Sequence, residues 1–409
     1  MSFQTGLSGL NASSQSLDVI GNNIANANTV GMKSSRAEFS DLVASTIGAG
    51  GSANKPGIGT AVASITQEFS QGNVSITGNA LDVAINGGGF FQLTKSDGST
   101  AYSRDGQFKL DKDGNIITNT GSFLMGYPTD NTGATTSFTT EKLKVPTGAP
   151  IAAKQTATVT AEFNLDARAP VATSSTSPAQ YGTSLITYDS QGVEVPVSLY
   201  FVKSATDTWS AYTNLATAQA DITAGTYLNA TTTMQFSTSG VLTTPNAPIS
   251  INVTSPNVNI GAFPVDLDMT KATQFGVNFA ISNLGQDGYT SGEFTGLSID
   301  AKGVITTRYS NGQTMKDGGM IALADFRNVQ GLSPIGGGEY QDTYKSGPSV
   351  MGQPTVGRFG ELRSGALEDS NVDLTAELVD MMTAQRNYQA NAQTIKTQDQ
   401  IMSTLVNLR

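Results

Sequence analysis

Two apolar series, one at each end of the chain, repeat every seven residues and constrain the fold more than any other feature. Phe3, Leu10, Leu17 and Ile24 fall seven apart, with Leu7 four after Phe3 and Ile20 three after Leu17. At the other end Leu374, Met381, Tyr388, Ile395 and Met402 do the same, with Leu378, Ala392 and Val406 four residues after three of them. Heptad spacing keeps one stripe of a helix against a partner, so each end should supply half of a coiled-coil-like pair. The seams are imperfect: Ser14, Gly21, Gln385 and Asp399 stand where a free zipper would carry Leu, Ile or Val. Ser370 or Asn371 can cap the C-terminal helix, with Asp373 in its first turn opposing the helix dipole. The N-terminal helix is expected to fray around Gly21, Asn22 and Asn23 or to end by Gly31.

The sequence between the ends reads as strand and turn. From Lys33 to about Gly78 it is rich in Gly, Ser and Ala, which suggests a connector with a short strand. Asp97-Gly98, Asp105-Gly106 and Asp113-Gly114 then recur every eight residues, and Asp-Gly favours the left-handed turn of tight hairpins. Strands fit at Phe90–Thr94, Gln107–Leu110 and Asn115–Thr118. A second turn-rich block spans 287–320. Between the blocks, residues 148–283 are rich in Thr, Ser and Ala, with strand-like runs at 185–188, 193–202 and 274–281. Residues 204–301 carry seven acidic side chains and one basic one, Lys271.

Helix, sheet, inserted sheet, sheet, helix is a nested order. An insertion needs its ends close together, so the flanking blocks should combine while the terminal helices pair. The expected fold is mainly β with terminal α-helices, an elongated multidomain chain. Residues 1–32 plus 366–409 would form a helical inner domain, 33–78 a connector, 79–147 plus 284–365 a middle β domain, and 148–283 an outer inserted β domain.

Composition narrows the chemistry. The chain of 409 residues has no Cys and no His, which removes disulfides, thiolate nucleophiles, the commonest general base and the commonest metal ligands. An enzyme is therefore disfavoured, and no cofactor or metal is expected. With 23 basic and 33 acidic residues the net charge has the wrong sign for gripping nucleic acid or an anionic membrane. No stretch reaches the ~18 apolar residues of a membrane span, and the first residues lack the basic and apolar regions of a cleaved secretory signal. The chain should stay in the cytoplasm or leave by a route that uses no cleaved signal.

The local motifs carry little. Ser52 and Lys55 have the spacing of a Lys-activated Ser but lack every companion motif. The run from Asp111 to Asn115 resembles the start of a calcium loop, yet its Gly is misplaced and Ser122 stands where a bidentate Glu is needed, so a hairpin turn is expected. Gly31 to Ser34 is not a phosphate loop because Met32 separates Gly from Lys33, and Gly87 to Gly89 reads as a bulge or tight strand entry. The terminal helices say more. Before Lys33 the only charged side chain is Asp18, whereas a water-exposed helix normally carries charge on its outer face. A helix neutral all round suits contact on several sides and should be marginal in isolation, which favours helices that become ordered only in an assembly.

These residues also carry a resemblance. LSGLNASSQSLDVIGNNIANANTVGMKSS (7–35) resembles the N-terminal signature of the bacterial flagellar rod and hook axial proteins. ALDVAINGGGFFQL (80–93), YSRDGQFKLDKDGNIITNTGSFLMGYP (102–128) and residues 365–409 resemble further blocks of the hook branch, and TYDSQGVEVPVSLYFVK (187–203) resembles its outer domain.

The resemblance implies a non-catalytic structural subunit of the flagellar hook, exported without a cleaved signal by the flagellar type III apparatus. It would assemble outside the cell into a curved tube that transmits torque from rod to filament and lets export substrates pass. Its partners would be further copies of itself, a hook cap protein, the distal rod protein and a hook–filament junction protein, with no nucleic acid and no membrane insertion. By position, Leu7, Leu10, Leu17, Ile20, Ile24, Leu374, Leu378, Met381, Tyr388, Ile395, Met402 and Leu405 would form the helical assembly interface. Asn22, Asn23, Asn26 and Gly31 would shape the turn out of the inner tube. A distal rod protein with an insertion, or a β-rich surface adhesin, is the alternative.

Overall fold

A computed structural model describes residues 2–43, 57–148, 150–173, 180–227, 229–257 and 259–407. Ser52 and Lys55, whose spacing carries little weight, lie outside them. The α-helices of the described residues are α1 (Ser2–Ala25), α2 (Leu215–Ala224) and α3 (Leu374–Asn407), and nearly all other regular structure is strand. The chain divides into two compact units, residues 1–148, 296–307 and 314–409 in one and 149–295 with 308–313 in the other.

In the first unit, strands from both sides of the inserted segment share one sheet. Tyr340 pairs with Tyr102, Leu323 with Phe91 and Met320 with Tyr127, so segments 193 to 238 residues apart close one body. Phe90, Tyr102, Phe326 and Tyr340 pack edge to face in its core at centroid distances of 4.8–6.0 Å. Gly98 and Gly114 take positive φ, as tight Asp-Gly turns require. Gly106 differs: its φ is not positive, and a Cβ there would run into the Val83 carbonyl oxygen, so it is small because two backbones touch. The Asp111 carboxylate accepts from the Asp113 and Asn115 backbone N–H groups at 2.8 and 2.9 Å, an Asx turn that closes the hairpin.

The stretch read as a connector is more ordered than its composition suggests. Strands β1 (Ser35–Val43) and β2 (Gly57–Gln67) form a long antiparallel ribbon, with Ser35 opposite Gln67 and Val43 opposite Gly57. The β-branched residues of β2, Ile58, Thr60, Val62, Ile65 and Thr66, are spread among Gly and Ala, which dilutes the strand signal. Asp373, not Ser370 or Asn371, caps α3: its Oδ1 accepts from the Thr375 and Ala376 N–H groups at 2.8 and 3.3 Å.

The second unit is a sandwich of two five-stranded sheets. One is an antiparallel meander over 181–244, and the other centres on Thr158–Asp166. Alternate residues of Glu194–Ala205, from Val195 to Phe201, face the same core as Val159, Phe163 and Leu165. Trp209 is fully buried there, and its indole N–H donates to Gln274 Oε1 at 2.9 Å. The run expected at 274–281 is two strands, Thr273–Phe275 and Ala280–Gln286. Helix α2 was not anticipated. Asn214 caps its start through bonds to the Ala216 and Thr217 N–H groups, and Gly225 ends it at φ +66°.

Candidate assembly surface

Helices α1 and α3 pair antiparallel, but not along the leucine seam. Gly6 faces Ile395, Gly9 faces Asn391, and Asn23 donates to Glu377 Oε1 at 2.8 Å. Ile20 and Ala384 are buried between these contacts. Small residues thus allow the backbones to approach, and each helical glycine gives up about 1 kcal/mol of propensity relative to Ala to do so. Two helical glycines three residues apart were the available signal for that close face, and an apolar pattern passes over them.

A second face of α1 meets the β1–β2 ribbon, where Ser8 Oγ accepts from the Thr60 N–H at 3.3 Å and Gly59 abuts Ser8. At the start of α1 Phe3, Leu7 and Leu10 lie on a third face, roughly 70–130° around the helix from the midpoint of the glycines, and the leucine seam drifts back toward the glycine face by about 20° per heptad. Along the seam Phe3 and Leu7 are 50% and 44% exposed, while Leu10, Leu17 and Ile24 are half-buried. Gly21 has nothing within 4 Å of its Cβ position.

Along α3, Met381 and Ile395 are half-buried, while Leu374, Leu378, Tyr388 and Met402 are exposed together with Val379, Met382 and Ile401. Gln385 and Asp399, expected in the seam, point to solvent, because the contact with α1 runs through Glu377, Ala384 and Asn391. The Leu405 side chain lies outside the described set. Ile20, Met381 and Ile395 therefore pack within the chain, and Leu7, Leu374, Leu378 and Met402 face outward.

The turn after α1 is a polar construction. Asn23, 1% exposed, donates to the Ser35 carbonyl as well as to Glu377, and its Oδ1 accepts from the Ser35 N–H at 2.9 Å. Asn26 donates back to the Asn22 carbonyl at 2.9 Å. Gly31 has φ +69°, and a Cβ there would sit 2.6 Å from the Asp105 nitrogen, so the close approach and the backbone angle both demand glycine. Asn371 fastens the start of α3 to this turn by accepting from the Ser34 N–H at 2.7 Å and donating to the Glu68 carbonyl. Beneath it Lys33, Glu368 and Arg104 form a buried charge cluster, with Lys33 2.5 Å and Arg104 3.0 Å from the Glu368 carboxylate. Burial pushes the Lys33 ammonium below its usual range; the Glu368 contact offsets part of that shift and the Arg104 charge adds to it.

Four family models match: a flagellar basal body rod protein over 3–33, the flagellar hook protein FlgE/F/G D1 domain over 84–198, the flagellar basal body protein FlaE D2 domain over 164–289, and the flagellar basal body rod FlgEFG C-terminal region over 363–408. The chain is 41% identical to the flagellar hook protein FlgE of Salmonella typhimurium over 421 aligned residues and 40% identical to that of Escherichia coli K12 over 420, covering 100% of each chain in both cases. A solved Helicobacter pylori flagellar hook protein, FlgE2, shares the fold at a TM-score of 0.54 and 15% identity, covering 72% of this chain and 100% of that one. Among the described residues no helix is long and apolar enough to cross a membrane.

Proposed function

Given that the chain belongs to the flagellar hook protein family, whose members are structural and not catalytic, we propose that its assembly into the hook is driven by the outward apolar faces of α1 and α3. The observation that carries this reading is the position of Phe3 and Leu7. They lie on a helix face that neither α3 nor the β1–β2 ribbon covers, on a helix whose only charge is Asp18. Isolated apolar side chains on a surface need no explanation, but Phe3 and Leu7 adjoin the half-buried Leu10 on a helix with a single charge, and that apolar strip calls for a partner. A second copy supplies it, and heterologous contacts of this kind build an open helical polymer instead of a closed ring.

In this reading the subunit passes through the type III export apparatus without a cleaved signal, joins the growing tube outside the cell beneath a cap protein, and meets the distal rod protein at one end and a junction protein at the other. The helices of 1–32 and 366–409 form the inner tube, where Asn, Ser and Gln would hold transiting chains weakly. The middle β domain supports them. The acidic 148–283 region is the outer domain, at the polymer's solvated surface, and its weak contacts adjust as the tube bends. The distal-rod and adhesin alternatives gain no support from matches that run the full length of hook proteins.

The test is polymerisation of the purified full-length chain followed by helical reconstruction from electron micrographs. A tube with α1 and α3 at its inner wall, and Leu7 within 5 Å of a neighbouring copy (about the reach of an apolar contact), is the expected result. A tube in which that stripe faces only solvent would overturn the reading.

A further inference from the structure

Two completely buried charges and a third nearly buried one, far apart in sequence, belong to neither helix face. Lys33 and Glu368 are 0% exposed and Arg104 is 6% exposed. Glu368 Oε1 accepts from Lys33 Nζ at 2.5 Å and from the Gly72 N–H at 2.9 Å, while its Oε2 accepts from Arg104 Nη1 at 3.0 Å. Lys33 Nζ donates again to the Ser70 carbonyl at 2.8 Å, and Arg104 Nη2 to the Gly87 carbonyl at 2.9 Å. The Glu368 backbone carbonyl takes the Gly31 N–H at 2.8 Å. One carboxylate therefore ties the segment leaving α1, the segment entering α3 and the β body.

As a source of stability this arrangement is poor. Two cations share one anion, Arg104 Nε has no partner, and desolvating three charges offsets much of their attraction. Apolar residues of similar volume would serve as well for cohesion. What an apolar cluster lacks is direction, since it tolerates sliding, whereas fixed donors and acceptors admit one placement.

We infer that Glu368 is a positioning residue for assembly: shared between Lys33 and Arg104, it fixes the root of the α1–α3 pair on the β body, and so sets the orientation in which the helices meet the next copy. This rests on the assembly reading above. A helical polymer makes such a residue consequential, because a small rotation at one root recurs at every subunit and changes twist and curvature.

The experiment compares the full-length parent with Glu368→Gln and with the apolar triple variant Lys33→Met, Arg104→Met, Glu368→Leu. In the monomer, Glu368→Gln should raise protease cleavage within residues 2–33 and 374–407 by about a hundredfold while the β body stays protected, since breaking a buried pair on one side leaves charge unpaired. The triple variant should keep the parent's cooperative unfolding of the body yet form tubes of altered twist or curvature, or none. Three results would overturn the inference: unchanged cleavage in Glu368→Gln, simultaneous loss of helices and body in that variant, or triple-variant tubes superimposable on the parent's. If the parent itself forms no tube, the assembly reading fails, and the cleavage comparison still decides whether Glu368 holds the helix root.

Discussion

A Cβ placed on Gly9 would stand 2.8 Å from the Asn391 amide nitrogen, so the closest approach of the two terminal helices depends on a missing side chain. Gly9→Leu should therefore force the helices apart and destabilise their pairing by about 1–3 kcal/mol, the usual range for overpacking. Gly9→Ala should be milder, because the Asn391 amide can turn aside and alanine regains about 1 kcal/mol of helix propensity. Cleavage within α3 during limited proteolysis reads the difference. Equal protection of parent and Gly9→Leu would show that the helices do not meet at this point.

Leu7 and Ile395 separate two roles that the heptad pattern merges. Leu7 is 44% exposed and Ile395 packs against Gly6. Leu7→Asp should leave monomer stability within about 0.5 kcal/mol, as surface changes generally do, and abolish polymerisation by burying an unpaired carboxylate between copies. Ile395→Asp should damage both. Sedimentation of polymer beside thermal unfolding of monomer checks the pair, and normal tubes from Leu7→Asp would remove that face from the interface.

Alkaline pH should loosen the first unit through Tyr340. Burial among Phe69 and Phe90 raises its phenol to about 12, with Arg104 pulling weakly the other way. A folded-state value above the unfolded value of ~10 means the contribution is fully present below pH 10 and is lost as pH rises through about 12. Lys33 acts in the opposite sense: its folded value is lowered, so its share of stability grows as pH climbs toward 10.5. Tyr340→Phe should consequently flatten the alkaline decline of the unfolding midpoint without removing the Lys33 contribution. An identical decline in parent and variant would contradict the assignment.

The terminal helices and the nested order were legible in the sequence because heptads and Asp-Gly turns are local signals. The face on which the helices meet was not, since Gly6, Gly9, Ala384 and Asn391 contribute nothing to an apolar pattern while Leu7 and Leu10 dominate it. The β1–β2 ribbon was hidden by glycine-rich composition, and α2 by the Thr and Ala around it, although the Asn214 and Gly225 caps marked its ends. Lys33 and Glu368 are 335 residues apart, and no local rule pairs residues at that range. Asn371 was read as a helix cap because cap statistics are local too; the tertiary bond to Ser34 takes precedence, and Asp373, two residues on, does the capping.

The sandwich unit should be removable. Its two ends already lie side by side, since Ile151 bridges to Gly292 and Lys154 to Tyr289, so a short linker can replace everything between. It also has its own core, in which Phe163, Phe201, Trp209 and Val265 bury one another. A join between residues 147 and 284 would cut the strand Ala280–Gln286, which pairs with Thr158–Asp166, and leave an orphan edge. The safer excision joins Gly148 to Gly292 through a few Gly and Ser residues, which keeps the strand Phe294–Ile299 whole beside Ile305–Tyr309 and leaves Arg308–Gln313 as a hairpin tip. Domains whose ends are close can often be cut out this way, because the remainder keeps its own contacts. The shortened chain should unfold with the first unit's cooperativity and still polymerise, but into tubes straighter or mechanically different from the parent's. Most of the acidic excess of six over 204–301, which keeps that surface solvated, would be gone, with Glu293 and Asp300 retained, so the tubes should also bundle more readily at low salt. Loss of cooperative unfolding in the shortened chain would refute the independence of the two cores, and tubes that bend like the parent's would refute any part for the sandwich in curvature.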